Sequence, residues 1–223
     1  MSVVAIVQAR QNSTRFPEKV FADIEGYSML EHVMARVASA RSVERVVVAI
    51  PLKDEKLWQY CKERKWTVYP GNEHDVLKRY YGAARAYRAK TVVRVTSDCP
   101  LLDPTVIDLL VAKFKSGAYD LACMDLDDSF TWPHGSEVEV MSYDCLVRMH
   151  QTSTDAYERE HVSLPARNNP DQYDMVNMGL AVDWSRHHYT VDTPEDLERV
   201  RAIFQHYKKP DVTTAEAVRF LEA

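Results

Sequence analysis

The sequence has little cysteine and little glycine, and it lacks the short motifs that usually contain these residues. Its 223 residues include 4 cysteines and 6 glycines. No two cysteines form a CxxC pair, which disfavours a zinc ribbon and a thioredoxin-type redox site. Cysteines scattered in this way are typical of reduced thiols, so we expect a cytoplasmic protein. The loop after the first apolar run has neither GxGxxG nor a P-loop pattern, which disfavours nicotinamide chemistry and P-loop hydrolysis.

The sequence also lacks a long apolar run and an excess of positive charge. The apolar run at residues 3–8 is short and charges follow it, so it predicts a buried strand and not a signal peptide. No stretch approaches the length of a transmembrane helix. The net charge of −5 disfavours a general role on nucleic acids or membrane surfaces. We therefore expect no nucleic-acid partner and no membrane insertion, and an anionic substrate would need a local basic site.

Apolar β-branched segments alternate with amphipathic segments through the first 120 or so residues. Residues 3–8, 45–50 and 91–96 have the pattern of strands buried on both faces. The alternation predicts an α/β protein with a Rossmann-like, mostly parallel central sheet. We expect one domain over residues 1–223, in which residues 120–165 form an inserted hairpin and helix for substrate contact or dimerisation.

The remaining predicted elements follow from the same patterns. Helical periodicity covers residues 28–40, 54–65, 74–88, 105–115, 194–207 and 212–221. Further strands are predicted at residues 66–69, 136–141, 174–182 and 187–191.

Three cations follow the first predicted strand closely: Arg10, Arg15 and Lys19. Ligands of open α/β sheets bind beyond the carboxyl ends of the strands. Guanidinium groups and the backbone N–H groups of such a loop can hold a triphosphate. The alternative is a solvated basic loop, but the position beside a buried strand favours phosphate binding.

Asp98 and Asp192 each follow a predicted strand, where a carboxylate can hold Mg²⁺ against phosphate oxygens. Each could instead cap a turn or the following helix. For Asp98 alone the two interpretations are balanced, and for Asp192 alone the helix cap is favoured. Asp103, directly before Pro104, fits a helix cap better than a metal ligand. If Asp98 and Asp192 meet, they form the two-carboxylate site that metal-assisted nucleotidyl transfer needs.

An ordered set of short motifs extends over nearly the whole chain. The motifs are Ala9-Arg10, Ser13-Thr14-Arg15, Pro17-Glu18-Lys19 and the segments 71–77, 94–100, 158–162 and 191–197. This set resembles the cytidylyltransferase family of the CMP-Kdo and CMP-sialic acid synthetases, and most closely its SpsF-type branch. The resemblance implies a GT-A-like nucleotidyltransferase fold. It also implies a magnesium-dependent transfer of CMP from CTP to a sugar acid or related acceptor, with release of pyrophosphate, in surface-polysaccharide or glycoconjugate biosynthesis.

The resemblance further implies roles for individual residues. Arg10, Lys19 and Asp98 would be catalytic, and Asp98 and Asp192 would bind Mg²⁺. The residues that would bind the nucleotide are Ala9, Arg10, Ser13, Arg15, Lys19 and Ser97. Kdo-type enzymes carry a glutamine just before the glycine that precedes the metal aspartate, whereas this chain has Thr96-Ser97. The preference for CTP over other nucleoside triphosphates therefore stays open.

Acceptor contacts are expected in the insertion and the helix that follows its hairpin. The candidates are Glu137, Glu139, Arg159 and His161, and the two glutamates share one face if their segment is a strand. A solvated hairpin face is the alternative for the glutamates, and a packed helix histidine is the alternative for His161. The family also implies a homodimer formed through the insertion. Two other functions stay open: a nucleotidyltransferase that uses another nucleoside triphosphate and a sugar phosphate, and an inactive nucleotide-sugar binding subunit.

Overall fold

The fold is seen in a computed structural model that describes residues 2–126 and 130–223. Its strands are β1 (Val3–Gln8), β2 (Asp23–Ile24), β3 (Tyr27–Ser28), β4 (Arg45–Pro51), β5 (Thr67–Gly71), β6 (Thr91–Thr96), β7 (Leu121–Cys123), β8 (Glu139–Ser142) and β9 (Met175–Asn177). Strands β2 and β3 form a small hairpin, and the other seven form one sheet in the order β5-β4-β1-β6-β8-β7-β9. Among these described strands only β8 runs antiparallel to its neighbours. The predicted α/β fold with a mostly parallel sheet is confirmed.

Helices cover both faces of the sheet. They are α1 (Met29–Ser39), α2 (Glu55–Glu63), α3 (Val76–Ala86), α4 (Pro104–Lys115), α5 (Tyr143–Thr152), α6 (Ala156–Glu160), α7 (Leu164–Arg167), α8 (Pro194–Tyr207) and α9 (Thr214–Leu221). Strand β1 shows why two layers are needed, because its alternate residues face two separate apolar clusters. Val3, Ala5 and Val7 belong to one cluster, and Val4 and Ile6 to the other. A continuous apolar run of this kind suits a parallel strand covered on both sides.

Helix starts follow the expected capping chemistry. Ser28 forms a capping box with Glu31 at the start of α1. Asp103 accepts a hydrogen bond from the backbone N–H of Thr105 (2.9 Å) and begins α4 ahead of Pro104. The interpretation of Asp103 as a helix cap is therefore confirmed. Its other carboxylate oxygen accepts from the backbone N–H of Thr214 (3.0 Å).

The segment from 120 to 165 differs from the predicted insertion. Its strands β7 and β8 belong to the central sheet, and β8 lies between β6 and β7. The predicted strand at 174–182 is reduced to β9. The predicted strand at 187–191 is wrong, because this segment forms only an isolated bridge between His188 and His134. No residues of a neighbouring strand continue the pairing on either side of that bridge within the described chain.

A third apolar cluster joins α8 and α9 to the β2–β3 hairpin and to the segment after β6. It packs residues 189–221 against the hairpin and the segment after β6, which positions the site described below. All four cysteines are buried and unpaired. Across residues 2–126 and 130–223, no helix has both the length and the apolar character required to cross a membrane.

Candidate active site

A cleft of about 350 Å³ opens at the carboxyl ends of β1 and β6. These strands are parallel neighbours with Gln8 paired to Thr96, so the segments after both strands leave the sheet at the same edge. The cleft therefore lies where ligands of open α/β sheets bind. The predicted nucleotide and metal residues all line it, namely Ala9, Arg10, Ser13, Arg15, Lys19, Ser97, Asp98 and Asp192.

Lys19 lies at the centre of the charged residues in this cleft. Its Nζ donates to Asp98 Oδ2 (3.1 Å), to Asp192 Oδ1 (2.9 Å) and to the backbone oxygen of Val191 (2.7 Å). The Lys19 side chain is only 10% exposed. An ammonium has three protons to donate, and these three acceptors satisfy them without water. Two carboxylates that are distant in sequence thus meet at one cation.

The backbone brings Asp192 to Asp98. The N–H of Val191 donates to the backbone oxygen of Asp98 (2.9 Å), and the Val191 side chain is buried in the third apolar cluster. The interpretation of Asp192 as the cap of α8 is wrong, because the cap is Thr193, which forms a capping box with Asp196. The Asp192 carboxylate is not required by the helix and points to Lys19.

The Asp98 carboxyl is held in its ionised form. Burial opposes its ionisation, but the charge of Lys19 and hydrogen bonds from Thr96 and Lys19 outweigh burial and lower the pKa of Asp98. Arg15 pairs with the other oxygen of Asp192, with Arg15 Nη2 2.9 Å from Asp192 Oδ2. At neutral pH the cluster thus contains two carboxylates and two cations, so its charges balance.

The two arginines of the first loop differ from Lys19 in exposure. The Arg15 side chain is 67% exposed, and Arg10 is about half exposed in a long ion pair with Glu160 (3.7 Å). Exposed guanidinium groups lose little on leaving such partners. Both arginines are therefore available to a phosphate ligand in the cleft.

Asp98 and Asp192 are the residues suited to Mg²⁺. The space between them already accommodates a cation, the Lys19 ammonium. Mg²⁺ is usually held by one or two carboxylates together with water and substrate phosphates, so the donor set fits this ion. The described residues contain no group of three acidic, histidine or cysteine side chains placed for a metal. The remaining ligands would be oxygens of phosphate and water.

Several cleft residues were not predicted from the sequence. They are Gln8, Thr14, Val76, Arg79, Arg94, Thr96 and Glu160. Arg79 lies on the buried side of α3, and Arg94 lies within the buried strand β6. In the part of the chain that the structure describes, Nε of each arginine and Oε1 of Gln8 are buried without a hydrogen-bond partner. An arginine inside an apolar strand or helix face is the sequence signal that would have found both.

The four predicted acceptor residues do not lie together. His161 lines the cleft. Glu137 does not, because it binds His134 Nδ1 (3.0 Å). Arg159 is also turned away, in an ion pair with Asp75 (3.0 Å). The prediction that Glu137 shares a strand face with Glu139 is wrong, since β8 begins only at Glu139.

Glu139 lies beneath the cleft and not on its surface. It is 5% exposed and binds Arg94 (3.0 Å), Arg167 (2.6 Å) and Ser163 (2.5 Å). Burial opposes ionisation of Glu139, but Arg94 and Arg167 outweigh burial and lower its pKa. The prediction that Glu139 contacts the acceptor is therefore corrected. Glu139 instead forms an ion pair with Arg94, and Arg94 lines the cleft.

Comparisons with known proteins identify the family and support the fold. The model of the family described as Cytidylyltransferase matches residues 4–219. The chain is 29% identical to the spore coat polysaccharide biosynthesis protein SpsF of Bacillus subtilis, covering 98% of this chain and 93% of that protein. A cytidylyltransferase structure from Leptospira borgpetersenii superposes with a TM-score of 0.93 at 26% identity, covering 100% of this chain and 94% of the other.

A more distant structure shows the same fold. It is CMP:2-keto-3-deoxy-manno-octonic acid synthetase in complex with CTP, with a TM-score of 0.74 at 18% identity, covering 93% of this chain and 100% of the other. The family match spans nearly the whole chain and includes every segment that builds the cleft. The resemblance seen in the ordered motifs is thus confirmed, and the chain belongs to the cytidylyltransferase family.

Proposed function

We propose that the chain is a magnesium-dependent enzyme that transfers CMP from CTP to a sugar acid or related acceptor and releases pyrophosphate. One observation carries the proposal: a single cleft joins the cations Arg10, Arg15 and Lys19 to the carboxylates of Asp98 and Asp192. A triphosphate needs the cations, and Mg²⁺ needs the carboxylates. Membership of the cytidylyltransferase family supports CTP as the nucleotide.

In the proposed reaction, an acceptor hydroxyl oxygen attacks the α-phosphorus of CTP in line. The bond between the α-phosphorus and the bridging oxygen breaks, pyrophosphate leaves with the electron pair of that bond, and the hydroxyl proton passes to solvent. Transfers of this kind depend mostly on positioning and on neutralising charge. Mg²⁺ held by Asp98 and Asp192 would neutralise charge on the phosphate oxygens.

The chain's own cations act on the leaving group. Arg10 and Arg15 are exposed at the mouth of the cleft and can bind the terminal phosphates, whereas Lys19 is deeper and lies beside the two carboxylates. Removing one charge that stabilises a developing anion typically raises the barrier by about 3 kcal/mol, roughly a hundredfold in rate. Each of the three cations is expected to contribute on that scale.

The acceptor is proposed to be a building block of a surface polysaccharide or glycoconjugate. The name of the SpsF relative supports a polysaccharide pathway. Arg94 and His161 line the part of the cleft that is built by β6 and the end of α6. An arginine donates without accepting, so this part of the cleft suits oxygen-rich groups such as hydroxyls, a carboxylate or a phosphate.

The test is pyrophosphate release with Mg²⁺ and each of CTP, GTP, UTP and ATP, against a panel of sugar acids and sugar phosphates. Asp98→Asn is expected to lower the rate about a hundredfold. Asp108→Asn is the matched control, because Asp108 is also a hydrogen-bonded aspartate with a lowered pKa, caused by hydrogen bonds from Ser42 that outweigh burial. Asp108 does not line the cleft, so its variant should retain activity.

The outcomes separate the alternatives. Release that needs CTP and one acceptor, and that falls in Asp98→Asn only, supports the proposal and identifies the acceptor. Preference for another nucleoside triphosphate would make the chain a transferase of different nucleotide specificity. Nucleotide binding without release for any pair would favour a nucleotide-sugar binding subunit.

A further inference from the structure

Lys19 occupies the space between the two carboxylates that the proposed function assigns to Mg²⁺. Its ammonium donates to both carboxylates and to a backbone carbonyl, which uses all three of its protons. A divalent cation bound to the same carboxylates would lie very close to this ammonium and would be repelled by it. The ammonium and the metal therefore compete for one position.

We propose that the Lys19 ammonium is the internal counter-ion of the free chain, and that a divalent cation binds Asp98 and Asp192 only with a bound triphosphate. The inference rests on the proposed function, from which it takes the metal site. It adds that the metal and the nucleotide bind with positive coupling, because each requires the same movement of one side chain.

The burial of Lys19 explains the coupling. Its side chain is 10% exposed, and a buried charge that loses its partners without gaining new ones is costly. Lys19 therefore does not leave the carboxylates for a metal alone. A triphosphate offers new acceptor oxygens, and once Lys19 binds them the carboxylates are open to the metal. By linkage, the metal must then strengthen nucleotide binding by the same factor.

The other two cations of the first loop do not lie between the carboxylates of Asp98 and Asp192. Among the described acidic residues, Arg15 pairs with Asp192 alone, through Oδ2, and its side chain is 67% exposed. Arg10 contacts Glu160 and neither aspartate within hydrogen-bonding distance in the described chain. Lys19 is the cation that joins both carboxylates, so removing Lys19 should have an effect that removing an equal charge at Arg15 does not.

The backbone near Lys19 is fixed, so the movement concerns its side chain. The residue begins a 3-10 turn, Lys19–Phe21, and its backbone oxygen accepts from Ala22 (3.0 Å). Glu18 before it adopts a left-handed conformation with φ of 60°. The loop therefore presents the lysine from a defined point, and rotation about its side-chain bonds can carry the ammonium from the aspartates to a phosphate.

The experiment measures Mn²⁺ binding by electron paramagnetic resonance, without turnover. The wild-type chain is titrated with Mn²⁺ alone and with a non-hydrolysable α,β-methylene analogue of CTP, corrected for Mn²⁺ bound by the analogue itself. Asp98→Asn is titrated with and without the analogue, and Lys19→Met, Arg15→Met and Lys19→Met/Asp98→Asn are titrated without it. Far-UV circular dichroism establishes that each variant is folded.

The expected result is weak Mn²⁺ binding by the free wild-type chain and a site that appears with the analogue. Lys19→Met should bind Mn²⁺ without the analogue, tighter than wild type by on the order of tenfold to a hundredfold. Arg15→Met should gain at most about fivefold, because it removes an exposed charge. The gain in Lys19→Met should disappear when Asp98→Asn is added.

Two results would overturn the inference. One is a Mn²⁺ site in the free wild-type chain that is lost in Asp98→Asn and that the analogue does not strengthen. The other is an equal gain in Arg15→Met and Lys19→Met, which would show a general effect of charge. If instead no Asp98-dependent Mn²⁺ site forms even with the analogue, the metal site of the proposed function is itself wrong.

Discussion

The buried charges beneath the cleft can be tested by one substitution, Glu139→Gln. Glu139 accepts from Arg94 (3.0 Å), Arg167 (2.6 Å) and Ser163 (2.5 Å). The amide has almost the same shape as the carboxyl, but it leaves the two guanidinium groups without their shared anion. We therefore expect Glu139→Gln to lower the free energy of unfolding while the fold is retained.

The size of the loss follows from the partners that remain. Breaking a buried ion pair costs about 3–5 kcal/mol. Arg167 keeps Asp125 (2.6 Å), and the Arg94 side chain is 17% exposed toward the cleft, so a loss near the lower bound, about 3 kcal/mol, is expected. In a chain of this size that corresponds to a fall in Tm of roughly 6–12 °C.

The measurement is urea unfolding of Glu139→Gln, Arg94→Met and the double variant. In the double variant the loss should be smaller than the sum of the two single losses, because the residues share one interaction. Arg148→Gln is the matched control: its pair with Asp120 is 47% exposed at the arginine, and such pairs contribute about 1 kcal/mol or less. Additive losses, or a loss in Glu139→Gln as small as in the control, would refute the reasoning.

The same pair predicts a pH dependence with a definite sign. Burial raises the pKa of Glu139, but Arg94 and Arg167 outweigh burial and lower it. Stability from a lowered carboxyl pKa is present above the pKa of the unfolded chain, about 4.3, and is lost as pH falls through the folded pKa. The difference in unfolding free energy between wild type and Glu139→Gln should therefore narrow as pH falls below about 4.3.

Three further substitutions test local features of the fold by thermal unfolding. Ser28→Ala removes the capping box of α1 and should cost about 1 kcal/mol; an unchanged Tm would mean that the cap adds nothing. Gly135→Ala should cost about 1–3 kcal/mol, because φ is +111° and the new Cβ would lie 2.5 Å from the Tyr189 ring; a gain in stability would contradict this. Tyr80→Phe removes the buried hydroxyl that lies 3.1 Å from the backbone oxygens of Ile6 and Val95 and should cost about 1 kcal/mol, so a neutral result would contradict its role in joining β1 to β6.

Local sequence patterns predicted the elements that have clear periodicity or clear boundary residues. The strand at residues 91–96 and the helix at residues 194–207 have the predicted bounds, because a run rich in β-branched residues favours a strand and Pro at the first turn marks the start of a helix. The strand order in the second half of the chain was not predictable in this way. Placing β8 between β6 and β7 depends on pairing between distant segments. The sequence of a short strand does not determine which other strand it pairs with.

The residues of the candidate site that follow strands were predictable from the sequence. The residues that form buried ion pairs with distant parts of the chain were not. The rule that ligands bind beyond the carboxyl ends of strands predicts that Arg10, Lys19 and Asp98 belong to the site. The sequence predicts Glu139 as an acceptor contact because Glu137 and Glu139 share one face if their segment is a strand. The two arginine partners of Glu139 come from β6 and α7, and only the folded chain shows that the carboxylate is buried between them.

Whether Asp192 caps α8 could have been decided from the sequence. Proline at the first helical position fixes the cap as the residue immediately before it. In Asp103-Pro104 that residue is the aspartate, and Asp103 caps α4. In Asp192-Thr193-Pro194 it is the threonine, and Thr193 caps α8. The helix then does not use the Asp192 carboxylate, which leaves this carboxylate free to bind a cation, and in the structure it binds Lys19 and Arg15. The position of one proline relative to each aspartate thus separates the structural carboxylate from the one that meets Lys19 and Asp98.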